Sequence, residues 1–231
     1  MWNPRALVAV VCAGVVCTGA VAACSGGAAS EGSESAEAPA ADIAKVVELK
    51  SSFGPDFVVT DVPTTGIDPK LLAGQTLPEG LKFEPADCAQ FAAGQQMPAD
   101  LKGNMAAVSA EGDGLRFITI AMETSEPVPM VERKDECSKV NFAGGALRGT
   151  VEVVAAPQID GVQTQGVHRV LQTTVNGTPQ TGEIYSYLAH FGDYQVIVTA
   201  NPLVLPDKPV VPVDTARAEK LLSDAVAAIR A

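Results

Sequence analysis

The chain has 231 residues, and its 27 acidic side chains outnumber its 16 lysines and arginines, for a formal net charge of −11. An acidic surface repels phosphate backbones, so we expect no binding to nucleic acid. With 47% hydrophobic residues, the chain is long enough to form one ordinary domain with a substantial core.

The first 23 residues have the layout of a secretory signal peptide. Arg5 supplies a positive charge, and residues 6–23 contain no charged side chain. The run ends in Val-Ala-Ala before Cys24, and small residues before a cysteine resemble the bacterial lipobox, in which a peptidase cuts before a lipid-modified cysteine. We therefore predict a lipoprotein anchored through Cys24 to the extracytoplasmic face of the cell membrane. A transmembrane helix or a plain signal peptide is the alternative, although 18 residues is a short span for a bilayer.

A tether follows the predicted signal, over residues 24–41. It is composed mainly of Ser, Gly, Ala, Glu and Pro and has no aromatic or large aliphatic residue. Such a stretch cannot bury enough surface to offset the entropy lost on folding, so we expect a flexible spacer. Loss of residues 1–23 removes one cation and no acid, and the net charge becomes −12. We expect a single globular domain, 42–231, that stands away from the membrane.

Two cysteines, Cys88 and Cys137, remain once the signal and the lipid-modified residue are set aside. An exported compartment permits oxidation, so we predict a disulfide between them. The two cysteines are 49 positions apart. Closing a loop of that length stabilises the fold by about 4 kcal/mol on chain-entropy grounds. A free thiol or a metal pair is the alternative, but structural zinc requires four ligands.

Three helices are predicted between residues 42 and 137. The first covers residues 42–53, with Asp42 as N-cap and Ile43, Val46 and Val47 on one apolar face. A short helix from Pro85 to Gly94 carries the first cysteine. A third, over residues 130–137, is rich in charge and indicates a solvated face.

Strand patterns occur between and after these helices. They cover residues 57–59, 105–109, 115–123, 140–142, 149–155, 167–175, 183–191 and 194–200. A final helix begins at Asp214 or Thr215. Its apolar stripe consists of Ala218, Leu221, Leu222, Ala225, Val226 and Ile229. We therefore predict an α+β fold in which about five to seven strands form an antiparallel sheet, with N- and C-terminal helices packed on it.

The last hairpin has the clearest pattern. A two-residue turn at Gly192-Asp193 pairs Phe191 with Tyr194, Ala189 with Val196 and Tyr187 with Val198 on one face, which we assign to the core. Ile184, Leu188 and Ile197 occupy the other face, which we also expect to be covered.

Catalytic motifs are missing from the sequence. It contains no G-x-S-x-G, H-E-x-x-H or phosphate-loop pattern, and no cysteine is left over as a nucleophile. We therefore predict no catalytic residues, no metal site, no cofactor and no enzymatic activity.

His168 and His190 are the two histidines, and they fall on strands that are expected to pair. If the connecting loop centres near residue 179, they face each other and form a metal-binding or pH-sensing pair. If the turn is the tight Asn176-Gly177, His168 faces Tyr185 instead. The more ordinary interpretation is two unrelated sheet histidines. Together with Tyr185, Tyr187 and Tyr194, they are the candidates for a ligand groove, although such a tyrosine stripe is more often core.

The segment Leu77-Pro78-x-Gly80-Leu81-x-Phe83-x-Pro85-x-x-Cys88, together with the lipobox-like cysteine and the tether, resembles mycobacterial and related actinobacterial surface lipoproteins. It also resembles the extracellular sensor-like domains of PknH-type mycobacterial serine/threonine kinases. The resemblance covers residues 42–231 and implies a sheet with packed helices and a cleft for an unidentified ligand. It brings no catalytic residues. Kinase sensors of this type have two disulfides, whereas this chain can form one.

Four functions are compatible with the sequence, one of them a purely structural or antigenic role at the cell surface. We expect a non-enzymatic ligand-binding or sensor module, held at the membrane by its lipid, whose partner is a small molecule, a lipid or an envelope protein. A carrier of lipid or glycolipid would need a large apolar cavity. An envelope hydrolase would need a serine in contact with His168 or His190.

Overall fold

The computed structural model describes residues 41–68, 72, 75–98, 101–175, 177–204 and 208–231. The predicted signal peptide, Cys24 and the predicted tether up to residue 40 lie outside these residues. Within the described ranges, no helix is both long and apolar enough to span a membrane.

A nine-stranded antiparallel sheet forms the body of the protein. Its strands are β1 (Phe57–Gly66), β2 (Lys82–Glu84), β3 (Gly103–Gly112), β4 (Leu115–Thr124), β5 (Lys139–Gly144), β6 (Leu147–Val154), β7 (Gln163–Val175), β8 (Thr178–Phe191) and β9 (Tyr194–Pro202). They are arranged in the order β1-β3-β4-β9-β8-β7-β6-β5-β2. The predicted antiparallel α+β fold is confirmed, but the expected strand number is too low. All eight predicted strand segments join one sheet, and β2 adds a ninth that is too short to show an alternating pattern.

Two helices cover one face of this sheet, which we call the helix face and which includes Phe117, Tyr187 and Val198. The C-terminal helix, Thr215–Arg230, buries all six residues of the predicted apolar stripe. Asp214 caps it, because its carboxylate accepts a hydrogen bond from the backbone N–H of Arg217 at 2.9 Å. The prediction of this helix is confirmed.

The N-terminal helix, Ile43–Ser52, is a 3-10 helix, and Asp42 caps it as predicted. Its buried residues are Ile43, Val46 and Leu49, which are spaced by three. A 3-10 helix has three residues per turn, so this spacing keeps all three on one side. The predicted apolar face is confirmed at Ile43 and Val46. Val47 is half-buried and packs at the margin of the same core, and Leu49 is the third fully buried residue.

The opposite face of the sheet, which we call the cavity face, includes Met122, Leu188 and Arg169. Chain segments between residues 67 and 138 cover it. The predicted short helix is confirmed as a 3-10 turn, Ala86–Cys88, that continues as an α-helix, Ala89–Ala93. The predicted helix over 130–137 is wrong. Only a single 3-10 turn, Asp135–Ser138, forms there, and the residue before it, Lys134, is extended.

A disulfide joins Cys88 to Cys137, as predicted, with their Cα atoms 5.5 Å apart. Both cysteines are buried in an apolar cluster on the cavity face with Phe91, Phe142 and Val151. The bond therefore fixes the covering segment to the strands beneath it.

The predicted register of the last hairpin is confirmed. Phe191 pairs with Tyr194, Ala189 with Val196, and Tyr187 with Val198. Ala189, Val196 and Val198 are fully buried beneath the helices. The alternation of the strands consequently sends the intervening side chains to the cavity face.

Candidate ligand-binding site

A cavity of about 580 Å³ lies on the cavity face. Residues of two apolar clusters border it. Phe91 and Val167 belong to one cluster, and Met122 belongs to the other. Four adjacent strands, β4, β9, β8 and β7, form its floor. Segments that follow β1 and the short helix form its walls.

The lining is mainly apolar. The apolar side chains are Ile67, Leu72, Phe91, Met97, Pro98, Leu101, Met122, Val131, Val167, Leu188 and Ile197. On the floor, Leu188 pairs directly with Ile197, and Met122 belongs to the next strand. The apolar side chains make up the larger part of the lining, which suits a hydrophobic ligand better than a polar one.

Arg169 is the one formally charged side chain among the described residues that line the cavity. It is 5% exposed. Its Nε atom is buried without a hydrogen-bond partner. Burial lowers the pKa of Arg169 to about 10, so the guanidinium stays protonated at neutral pH. A buried cation without a counter-ion is costly, because burial removes much of its hydration and no carboxylate compensates for that loss.

The guanidinium of Arg169 lies against the backbone of Gly94, another residue of the cavity wall. A Cβ atom at residue 94 would lie 2.8 Å from Nη2 of the arginine and 2.5 Å from the carbonyl oxygen of Gln75. Gly94 also has a φ of +92°, a conformation that glycine adopts without strain. A glycine at this position therefore permits both the local turn and the close approach of the arginine.

Two further polar side chains of the floor are buried with an unpartnered atom. Ser186 Oγ has no hydrogen-bond partner, and neither has Gln195 Oε1. Gln195 Nε2 donates to the carbonyl oxygen of Val128 at 2.9 Å, and Gln95 donates to the same oxygen at 3.3 Å. Folded proteins leave few buried polar atoms unpaired, so three around one cavity require an explanation. Polar groups at different positions of a bound molecule would supply the missing partners.

The candidate groove residues predicted from the sequence do not come together at this cavity. Tyr185, Tyr194 and His168 lie on the helix face. Tyr187 borders the cavity through its position in β8, but its hydroxyl donates to Glu219 of the C-terminal helix at 3.4 Å. Tyr194 similarly donates to Glu123 at 3.3 Å.

His168 and His190 point to opposite faces of the sheet. The tight turn after Val175 pairs His168 with Tyr185, which was the second of the two registers considered. The two rings stack with centroids 4.1 Å apart, and His168 Nε2 lies 3.0 Å from Glu183. The hypothesis of a metal-binding or pH-sensing pair is therefore wrong. In the described part of the chain, no three His, Cys, Asp or Glu residues form a candidate metal site.

His190 lies on the cavity face, opposite Gln195. Its Nε2 atom is buried without a partner. Burial lowers the pKa of His190, an effect that the nearby carboxylate of Asp193 partly opposes. Ser186 lies four residues away on the same strand, roughly 13 Å along it, so its hydroxyl does not contact His190.

Sequence reasoning missed Arg169, although the strand pattern contained a signal. Val167, Arg169 and Leu171 alternate along β7, and both flanking residues pack in the apolar cluster of the cavity face. A charged residue in phase with two core residues indicates an inward-pointing charge.

Residues 42–230 match the model of a family described as a domain of unknown function, DUF5642, and the chain belongs to this family. No curated protein matches the sequence. A similar solved structure is the X-ray structure of an uncharacterised protein from Mycobacterium smegmatis, described as the Rv0999 ortholog. The two chains are 64% identical, with a TM-score of 0.78, and the match covers 84% of this chain and 99% of that one. The expected kinship with uncharacterised mycobacterial proteins is thus confirmed.

Proposed function

We propose that the protein is a lipid-anchored, extracytoplasmic binding module that takes up a small, largely apolar molecule in the cavity without catalysing its conversion. The observation that carries this proposal is the cavity itself. Its volume of about 580 Å³ lies within the range of roughly 300–1,000 Å³ that is typical of small-molecule sites.

The composition of the lining supports the same function. Small-molecule sites are mainly apolar and contain a few polar groups that fix the orientation of the ligand. Here the apolar floor around Leu188 and Ile197 adjoins the unpartnered polar atoms of Arg169, Ser186 and Gln195. A ligand would shield the floor from water and pair with at least one of these atoms.

The membrane anchor in this proposal rests on the lipobox-like sequence before Cys24. An anchored domain on a spacer samples the fluid near the membrane surface, which suits a receptor or sensor whose ligand comes from the envelope. The resemblance of residues 77–88 to sensor-like domains agrees with this role.

A lipid carrier is the second candidate, and the shape of the floor favours it. The floor positions run from Met122 and Gln195 at one end to Arg169 at the other. Gln195 pairs with His190, and His190 pairs with Gln163 of β7. Because Gln163 and Arg169 are six residues apart in β7, the floor extends for roughly 20 Å along the strands. An elongated apolar floor suits an acyl chain.

Native mass spectrometry of the protein isolated from its own membrane tests the proposal. We expect a non-covalent adduct in addition to the acyl groups on Cys24. Leu188→Trp places a large ring on the cavity floor and should remove the adduct. Val58→Trp is the matched control, because Val58 is 73% exposed on the edge strand β1 and should leave the adduct in place.

An adduct that survives Leu188→Trp would show that the molecule binds elsewhere and would contradict the proposal. The receptor and the carrier are then distinguished by transfer of the identified ligand between two vesicle populations. A carrier accelerates the transfer in proportion to protein concentration, whereas a receptor retains its ligand.

A further inference from the structure

We propose that the cavity selects molecules with one anionic headgroup, a carboxylate or a phosphate, on an apolar body, and that Arg169 binds that headgroup. This inference rests on the proposed function and deepens it, because it names the chemical class of the ligand.

The charge distribution around the cavity is the first argument. The chain as a whole is acidic, with a net charge of −11. None of the described residues that line the cavity is an aspartate or a glutamate, and Arg169 gives the lining a single positive charge. Cationic ligands would be repelled there, and neutral ligands would leave the guanidinium without a counter-ion.

The state of Arg169 is the second argument. The residue is 5% exposed, its Nε atom is buried without a hydrogen-bond partner, and no carboxylate among the described residues lies within ion-pair distance of it. A guanidinium presents its N–H groups in a planar fork that matches the two oxygens of a carboxylate or phosphate. The bound headgroup would supply the missing partner.

The position of Gly94 is the third argument. Its backbone adjoins Nη2 of Arg169, and any side chain at residue 94 would collide with the guanidinium. Gln95 follows immediately and is tied to the carbonyl oxygens of Val128 and Pro129. The wall next to the arginine is therefore held in place, which keeps the guanidinium at a fixed position for a headgroup.

The floor offers a surface on which the apolar body of such a ligand would lie. Val167 lies two residues before Arg169 in β7 and pairs with Ser186. Beyond this pair come Leu188 and Ile197, which are paired with each other. A ligand with its headgroup at Arg169 would thus lay its chain over apolar side chains, while Ser186 could donate to the headgroup or to an adjacent oxygen.

The test compares four amphiphiles with the same twelve-carbon chain: dodecanoate, dodecyl phosphate, dodecanol and dodecyltrimethylammonium. Dodecanol is kept below its solubility limit and the other three below their micelle concentrations. Their dissociation constants are measured on the full chain by displacement of a fluorescent fatty alcohol. We expect at least one of the two anions to bind about tenfold or more tightly than dodecanol, as a charge-assisted hydrogen bond implies. The cation should bind more weakly than the alcohol. The stronger of the two anions identifies the headgroup as carboxylate or phosphate.

Arg169→Met keeps an unbranched side chain that ends near the position of Nε, but it removes the guanidinium and its charge. It should abolish the preference for the anion over dodecanol, while dodecanol itself still binds. Arg169→Lys keeps a charge without the planar fork and should lose only part of the preference. The matched control is Arg148→Met, which removes an equal charge from an exposed arginine of β6 that donates to Gln172.

Anions that bind no more tightly than dodecanol would overturn this inference and leave the proposed function intact. An anion preference that persists in Arg169→Met would overturn it as well. If none of the four amphiphiles displaces the fluorescent alcohol, or the alcohol itself does not bind, the proposed function fails and this inference fails with it.

Discussion

The guanidinium of Arg169 and the backbone of Gly94 are in direct contact, so closely that a Cβ atom on residue 94 would lie 2.8 Å from Nη2. The two residues are 75 positions apart in the chain, on a floor strand and in a wall segment. This contact joins the two parts of the proposed binding site, and its consequences can be measured.

Gly94→Ala should destabilise the protein by about 2–4 kcal/mol, because it combines an unfavourable φ with collisions against Arg169 and Gln75. Gly80→Ala is the matched control. Gly80 has a similar φ of +83°, but a Cβ atom there would meet nothing within 4 Å. It should cost only about 1–2 kcal/mol. Urea unfolding of both variants measures the difference, and equal losses would contradict the described contact.

Arg169→Met should raise the free energy of unfolding of the ligand-free protein by about 1–3 kcal/mol, because it removes a buried cation that has no counter-ion. Arg148→Met, on the exposed surface, should change it by less than about 0.5 kcal/mol. Binding sites commonly sacrifice stability in this way. A loss of stability in Arg169→Met would mean that the arginine has a structural partner.

Stability should fall as the pH drops below neutral, in part because of His190. Burial lowers the pKa of this histidine below its ordinary value of 6.5, although Asp193 opposes the effect. Between the lowered pKa and 6.5, the unfolded chain binds a proton that the folded chain does not, so folding loses free energy as the pH falls through this window. Below the lowered pKa the contribution is constant.

His190→Gln should therefore show a smaller loss of stability between pH 7.5 and pH 5.5 than the unmodified protein. Urea unfolding at both pH values gives the two differences, and the carboxylates contribute equally to each. Identical pH dependence of the two proteins would show that His190 does not titrate differently on folding.

The N-terminal 3-10 helix predicts unequal costs for two neighbouring substitutions. Leu49→Ala should cost about 2–4 kcal/mol, because Leu49 is 4% exposed and packs in the core beneath the helices. Val47→Ala should cost about 1 kcal/mol or less, since Val47 is only partly buried. Thermal unfolding of the two variants compares them. The reverse order would indicate an α-helical face.

Local patterns were sufficient for the elements that pack through one regular stripe or one alternating face. The C-terminal helix has six apolar residues at α-helical spacing, and all six are buried. The hairpin at Gly192 is defined by two adjacent residues, which fix the register of Tyr187 and Val198. The helix follows from its periodicity, and the hairpin follows from its turn residues together with the alternation of its strands.

Helix type and the binding cavity required information that is distant in sequence. Apolar residues at 43, 46, 47 and 49 fit both helical periods, and packing against the sheet selects the period of three. The charged stretch over 130–137 has helical propensity, but no helix forms before Asp135, and Val131 instead lines the cavity. The cavity forms where the wall around Gly94 covers the floor around Arg169, and no local pattern records that contact.

The most direct test of the central claim is a crystal structure of the full chain with dodecanoate that carries bromine on its last carbon. Anomalous scattering locates the bromine independently of the protein coordinates. We predict the carboxylate within hydrogen-bond distance of the Arg169 guanidinium and the bromine over the apolar floor formed by Leu188, Ile197 and Met122. A bromine signal outside the cavity, or a carboxylate that points away from Arg169, would contradict the account.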